Sequence, residues 1–540
     1  MRKNLWFLLS LLIVASMLII GCAPQATATP AAAPAQGGAT QAPAPTATQP
    51  PAPIAAGPKV LKVRIRGDIT NLDTANVTGD VEDSIDRAVM EGLFRYDATG
   101  KLVPQLVDTY SVSPDGLTIS FTLKKGVMWQ GGYGELTMDD VKFSYERFLA
   151  TNPKPAYADD FAALDHVEIV DQYTGKLVLK QPQATLWTTV LPMTSGLIVS
   201  KKFYDEAGPD KIKTDVIGTG PYVFASWTPK QEVVLKRNPD YWGPQPYYDE
   251  IDLIPVDDDK AAEVALKAGE LDFSGFSSLT TEDDFQSDSD FTVDVVPADQ
   301  YKWIGMNVNS PKLQDINVRQ AIRYGIDVPS ILAAAYNNKV QRANALIQPQ
   351  GAVGFWQDAP VYNRDVAKAK DYLAKAGVTS LNLSLTYENT DEYNTWAQII
   401  QQNLKDVGIN VTLNPLDSSS FWALGEGGKD KTLELFELYY SSVVPDPAWS
   451  TQWFTCDQVD LWNWMRWCSK DFDTLHQQGL ATTDPAQRAP IYVQMQQLWD
   501  AEADSVFVAD QPQVYISKAG VKAVIYPGGM SPMLRDFSGQ

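Results

Sequence analysis

Leu61, Val63 and Ile65 alternate with Lys62, Arg64 and Arg66, a period of two that predicts a half-buried strand opening the folded body. Ile85, Val89, Leu93 and Tyr96 follow at helical spacing and predict a helix over 84–96. Ser113-Pro-Asp-Gly116 reads as a turn, and Leu117, Ile119, Phe121 and Leu123 alternate behind it as a further strand. Thr137 with Asp140 three residues on resembles a capping box, starting a helix that carries Val141, Tyr145 and Phe148. Alternation returns from Leu381 to Tyr387, then a helical run over 391–407 with Trp396, Ile399, Ile400 and Leu404 ends at Gly408. Ile409 to Leu413 alternates again. Strand, helix and strand at this length predict a parallel crossover. The body therefore reads as α/β with mixed α+β lobes, and no repeat of fixed period is visible.

The pattern before residue 59 is different in kind. Arg2 and Lys3 precede an uncharged apolar run from Leu5 to Ile20, which has the length of a signal-peptide core and is short for a membrane span. It ends in Leu18-Ile-Ile-Gly-Cys22, which resembles a lipobox and implies cleavage over 1–21 and lipid on Cys22. An ordinary secretory signal with a chance cysteine is the alternative. Residues 22–58 are rich in Ala, Pro and Thr and carry no charge. Such a segment cannot bury enough apolar surface to offset its ordering entropy, and is expected to be a tether.

Composition narrows the function. The chain has 66 Asp and Glu against 44 Lys and Arg, a net charge of −22, which argues against nucleic acid and against direct docking on anionic lipid. Membrane attachment is thus expected through the N-terminal lipid alone, on the outer face of the cytoplasmic membrane. Of three cysteines, Cys456 and Cys468 remain once Cys22 is assigned. In an exported chain they are expected to form a disulfide, with two free thiols as the alternative. His166 and His476, far apart, are expected to be structural or exposed, so no dedicated metal site and no cofactor is expected. No GxSxG, HExxH or phosphate-cradling motif occurs. Asp257-Asp-Asp-Lys260 reads as a solvated helix start.

An ordered set of phrases carries a family resemblance. They are Gly67-Asp-Ile-Thr-Asn-Leu-Asp73, Glu91-Gly-Leu-Phe-Arg-Tyr-Asp97, Lys101-Leu-Val-Pro-Gln-Leu106 leading to Val112-Ser-Pro-Asp-Gly-Leu117, and Leu136-Thr-Met-Asp-Asp-Val-Lys-Phe-Ser-Tyr-Glu-Arg147. Gly218-Thr-Gly-Pro-Tyr-Val-Phe224, Arg237-Asn-Pro-Asp-Tyr-Trp242 and Val318-Arg-Gln-Ala-Ile322 before Ile326-Asp327 complete it. Together they resemble the family 5 extracellular solute-binding proteins of ABC transporters, which include dipeptide- and oligopeptide-binding proteins. The resemblance implies a two-lobed, type II periplasmic-binding-protein-like clamshell. One lobe would be built from 59–97, 214–300 and 506–540, with an inserted subdomain over 98–213 and a second lobe over 301–505. It implies a monomer that captures an oligopeptide or similar small solute and delivers it to a permease with cytoplasmic ATPase subunits. Most of these phrases, Gly218, Gly220 and Trp242 included, are expected to build scaffold, the glycines by allowing unusual backbone angles.

Walls of such a cleft call for aromatics with polar tips. Trp449, Trp453, Trp462, Trp464 and Trp467 crowd around the cysteine pair. In an extended segment Trp462, Trp464 and Arg466 would share one face, giving either a pocket wall or a packed loop. Tyr301, Trp303 and Asn307 are expected near the hinge and cleft. Peptide-binding relatives carry an acid about four residues before the final proline of the stretch ending at Pro447. Here that place is Val443, so Asp446 is the candidate substitute, or the solute is an oligosaccharide or another amphiphile. An enzymatic reading, a surface glycosidase with two carboxylates across a cleft, and a ligand-sensing lipoprotein remain as alternatives to transport.

Overall fold

Strand Val60–Ile65 lies inside a seven-stranded sheet. It pairs in parallel with Glu250–Pro255 and meets Phe273–Ser277 on its other side. The computed structural model describes residues 57–540 except 77–78, 152, 278, 280–281, 298, 348–351, 426, 443–445, 527–530 and 540. The leader, Cys22, most of the expected tether and Val443 lie outside the described residues. A central strand is covered on both faces, so the predicted half-buried alternation is incomplete. Arg64 is 4% exposed, donates from Nε to the Val256 carbonyl at 2.8 Å and pairs with Asp259 at 2.7 Å. Strands Tyr222–Thr228, Glu232–Arg237, Gln513–Lys518 and Phe291–Val296 complete this sheet.

A five-stranded sheet has the order Ile409–Leu416, Leu381–Glu388, Leu435–Ser442, Asp299–Met306 and Ser505–Asp510. The predicted crossover is here: Leu381 pairs in parallel with Ile409, and helix Asp391–Val407 joins the two strands. That helix buries Tyr393, Trp396, Ala397, Ile400 and Leu404. Gly408 ends it with φ 99°, a left-handed angle that costs glycine little, and its N–H returns to the Leu404 and Lys405 carbonyls.

The chain leaves the first sheet after Val296 and enters the second at Asp299. It leaves the second after Asp510 and rejoins the first at Gln513. Beside the second passage Gln511 N–H donates at 3.2 Å to the carbonyl of Gln300, near the start of the strand that follows the first. A third, antiparallel sheet has the order Val107–Val112, Thr118–Leu123, Thr174–Leu179 and Leu164–Ile169. It packs with helix Met138–Glu146, whose capping box forms as predicted, Asp140 accepting from Thr137 N–H at 3.0 Å.

The helix predicted over 84–96 is shorter. It spans Asp80–Val89, after which Glu91–Gly92 pairs with Leu197–Ile198, and Phe94–Tyr96 pairs with Leu102–Pro104. Glu91 explains the break. Its buried carboxylate accepts from Gln105 (3.0 Å), Thr219 (2.9 Å), Tyr241 (2.9 Å), Trp242 (2.7 Å) and Arg535 (2.8 Å). Charge-assisted bonds from five donors outweigh another helical turn. Trp242 is thereby scaffold, as expected. Gly218 and Gly220 serve close approach rather than unusual backbone angles: a Cβ at Gly218 would stand 1.9 Å from the Val89 carbonyl oxygen.

Candidate functional site

A cleft of about 1010 Å³ opens between residues of the seven-stranded and five-stranded sheets. On the first side, helix Asp80–Val89 supplies Asp83 and Arg87, the segment before Leu197 supplies Thr194 and Ser195, and helix Asp259–Ala268 supplies Lys260 and Glu263. On the second side stand Gln300 and Lys302, Tyr336 at the end of helix Val328–Tyr336, and Asp391, Glu392 and Tyr393 at the start of helix Asp391–Val407. Tyr439, Ser441 and Trp449 complete that wall.

Its charges are mostly paired. Asp83 takes Arg87 and Thr194 and also accepts from Ser531 at 3.1 Å. Lys260 binds Glu263 at 2.9 Å, and Lys302 binds Glu392 at 2.6 Å. Burial pushes the Asp160 carboxyl up to about 6, although Ser195 donates to it at 2.6 Å. Burial, with the Glu392 charge beside them, raises the Tyr336 and Tyr393 hydroxyls well above their ordinary value. Glu388 and Asp391 line the cleft without an ion-pair partner among the described residues. A wall of this kind, apolar rings with a few aimed polar groups, holds a solute noncovalently by both its apolar and its charged parts. Among the described residues no group of three His, Cys, Asp or Glu could hold a metal ion.

Of the residues singled out in the sequence, Trp449 lines the cleft, its Nε1 donating to the Ser441 carbonyl at 3.2 Å. Trp453 and Trp462 are half-buried and continue from it, with ring centres 5.6 Å from Trp449 to Trp453 and 6.5 Å from Trp453 to Trp462. Neither is part of the cleft lining. Tyr301 and Trp303 point into the core under the second sheet, stacked on each other at 5.2 Å. Asn307 is buried and ties down the Leu433 carbonyl at 2.9 Å. Asp446 caps helix Pro447–Gln452 and is held by Arg488. Trp464 is buried against Phe421 and Phe436.

Arg466 pairs with Asp430 and Asp460, each at 2.7 Å. The extended geometry that was to align Trp462, Trp464 and Arg466 does not form. The segment turns, Arg466 taking φ 58° and donating its N–H to the Asn463 carbonyl. Cys456 and Cys468 are disulfide-bonded at its flanks. Of the two histidines, His166 is exposed beside Asp165 and His476 is buried against Thr451. Asp258 caps helix Asp259–Ala268, so the Asp257–Lys260 run is the helix start that was expected.

Two cleft residues that sequence reasoning missed, Gln300 and Lys302, are one position away from Tyr301 and Trp303, which it chose, whereas others such as Arg87, Tyr336 and Glu392 are distant in sequence from every chosen residue. Side chains alternate along Asp299–Met306, so Tyr301 and Trp303 facing the core puts Gln300 and Lys302 on the cleft side. A lone lysine within Tyr301-Lys-Trp-Ile-Gly-Met306 was the available signal.

Comparison with known proteins agrees with this architecture. The model of the bacterial extracellular solute-binding proteins, family 5 (middle), matches residues 101–460. The glutathione-binding protein GsiB of Shigella flexneri serotype 5b (strain 8401) is 26% identical over 443 residues, covering 80% of this chain and 85% of that protein. GsiB of Escherichia coli (strain K12) is 25% identical over the same length, with the same coverage. Among solved structures, the ABC transporter substrate-binding protein CtaP of Listeria monocytogenes superposes with TM-score 0.79 at 25% identity, over 89% of this chain and 99% of that one. A dipeptide-binding protein of Pseudoalteromonas sp. SM9913 in complex with Met-Leu superposes with TM-score 0.79 at 19% identity, over 89% and 100%, a likeness of fold. The fold is that of type II periplasmic binding proteins. With the family model matched over well more than half of its length, this chain belongs to the bacterial extracellular solute-binding proteins, family 5.

Proposed function

We propose that this protein captures a small peptide or peptide-like solute in its cleft, outside the cytoplasm, and delivers it unaltered to the permease of an ABC importer. The observation that carries the reading is the cleft itself, walled from two sheets between which the chain passes directly twice, from Val296 to Asp299 and from Asp510 to Gln513. Two short, side-by-side connections are what a hinge needs to swing one wall against the other. Strand membership supports a division close to the expected one, with one lobe of 59–97, 214–296 and 513–540, an inserted subdomain over 98–213, and a second lobe of 299–510. Asp299–Met306 and Ser505–Asp510 both pair in the second sheet, which favours crossings at these two passages over crossings at 300 and 506. The volume suits a drug-sized solute. GsiB is named for glutathione, a peptide, and that relationship supports the solute class. Lipid on Cys22 would hold the body near its permease.

Trp449, Trp453 and Trp462 support a second reading, an oligosaccharide stacked on indole faces beside the cleft. Native mass spectrometry of the purified protein, then calorimetry with a dipeptide and tripeptide panel and a panel of oligosaccharides, separates the two. Binding of peptides returned intact is expected. Cleavage products, or binding confined to sugars, would overturn the peptide-import reading.

A further inference from the structure

Lys302 is a buried lysine in the wall of the cleft, 6% exposed. Its ammonium is 2.6 Å from Glu392. Three tyrosine rings surround it, with centres 5.4 Å (Tyr393), 5.7 Å (Tyr439) and 5.9 Å (Tyr336) from Nζ. These five residues all line the cleft and come from four separate elements. The Tyr336 hydroxyl donates to Glu392 and fixes the carboxylate in place.

Behind them Glu437 is fully buried, with no hydrogen-bond partner for either carboxyl oxygen among the described residues, and the Tyr393 hydroxyl is likewise unpartnered among them. Burial, and then the Glu392 charge, raises the Glu437 carboxyl well above its usual range. Burial thus disfavours charge on Glu437, and Glu392 is the carboxylate hydrogen-bonded to the ammonium. Aromatic faces around a cation, closed by a carboxylate, form the arrangement that recognises organic ammonium groups. Here the protein's own side chain occupies it.

We propose that Lys302 fills a cation box in the wall of the solute cleft and so sets the charge this wall receives, turning away an ammonium group and seating a carboxylate of the solute beside Lys302. The inference rests on the cleft being the solute site. A solute ammonium brought here would meet a like charge and find the ring faces taken. A carboxylate would meet an ammonium with one of its three donors committed to Glu392.

Two substitutions separate box from charge. Lys302→Ala empties the box, and Lys302→Met removes the charge while keeping it filled. The first probe is tetramethylammonium, titrated into the full chain by calorimetry and tyrosine fluorescence. Wild type and K302M should take up none. Folded K302A should bind it at least about tenfold more tightly than the weakest binding that the wild-type titration could detect, and K302A with Tyr393→Ala should lose that gain.

The second probe is a dipeptide panel against the matching C-terminal amides. Wild type should prefer the free acids by about tenfold or more, and K302M should lose the preference. Should wild type bind no peptide, the peptide reading fails while the tetramethylammonium result still decides the box. Folded K302A that takes up no tetramethylammonium overturns the inference. If K302A does not fold, an acid preference retained in K302M overturns it.

Discussion

Asp446 and Arg488 meet through two parallel hydrogen bonds of 3.0 Å, with side chains 1% and 5% exposed. Asp446 also accepts from Ala448 N–H at 2.9 Å, and from Thr188 of the 98–213 segment at 2.6 Å. A carboxylate so fully engaged has little left for a solute. Its worth is in holding the start of helix Pro447–Gln452, and with it Trp449, against the cleft. Asp446→Ala leaves Arg488 buried and unpaired and should cost about 3–5 kcal/mol in urea unfolding. The folded fraction should keep its solute affinity. Normal stability with lost binding would instead make Asp446 a solute contact.

Trp464 and Arg466 lead to a similar expectation. Trp464→Ala empties a packed site between Phe421 and Phe436 and should cost about 3–5 kcal/mol. Arg466→Ala leaves Asp430 buried without its cation and should cost about the same. Calorimetric titration of both variants should give wild-type affinity once unfolded protein is discounted. A selective loss of binding in either would return this loop to the site.

The parts of the fold legible from the sequence were those set by local chemistry. The Thr137–Asp140 capping box, the Gly408 stop and the parallel pairing of Leu381 with Ile409 each follow from spacing and residue type. Periodicity failed at Leu93 and Tyr96, where helical spacing continued past a carboxylate that distant donors had claimed. Gln105, Thr219, Tyr241, Trp242 and Arg535 are separated from Glu91 by up to 444 positions, which no local window sees. The cleft failed for a related reason. Aromatic richness marks the core and the pocket alike, and beyond the lone lysine it is strand pairing that turns Lys302 rather than Trp303 toward the cleft.

Glu91 itself yields a sharp expectation. Its carboxylate joins the 91–105 region, the Gly218–Gly220 turn, the Tyr241-Trp242 pair and the C-terminal Arg535 at one buried point. Glu91→Gln keeps the shape but replaces an acceptor oxygen by a donor among donors and leaves Arg535 uncompensated. It should lower stability by about 3–5 kcal/mol and weaken unfolding cooperativity, read as a broadened urea transition. An unchanged midpoint would refute the carboxylate as the organising group.

His476 makes stability depend on pH in a predictable direction. Burial lowers its pKa from 6.5 to about 4, outweighing the nearby Asp457 and Asp446 charges, while Arg488 acts the same way as burial. The ring is therefore neutral in the native state at neutral pH, with Nδ1 against the Thr451 hydroxyl at 3.1 Å. In the unfolded chain the imidazole binds a proton near its ordinary value. As pH falls, the unfolded state takes up the proton first. The contribution is fully present above about pH 6.5 and is lost progressively toward pH 4, by up to about 3 kcal/mol. Buried carboxyls such as Asp160, raised to about 6, work in the opposite sense, contributing most at low pH and losing that contribution as pH rises through 6. They are common to wild type and variant and cancel in the difference. Urea unfolding at several values between pH 7 and 4.5 should therefore show His476→Gln losing less stability than wild type across that window. Parallel curves would mean that the imidazole takes its proton in the native state as readily as in the unfolded one.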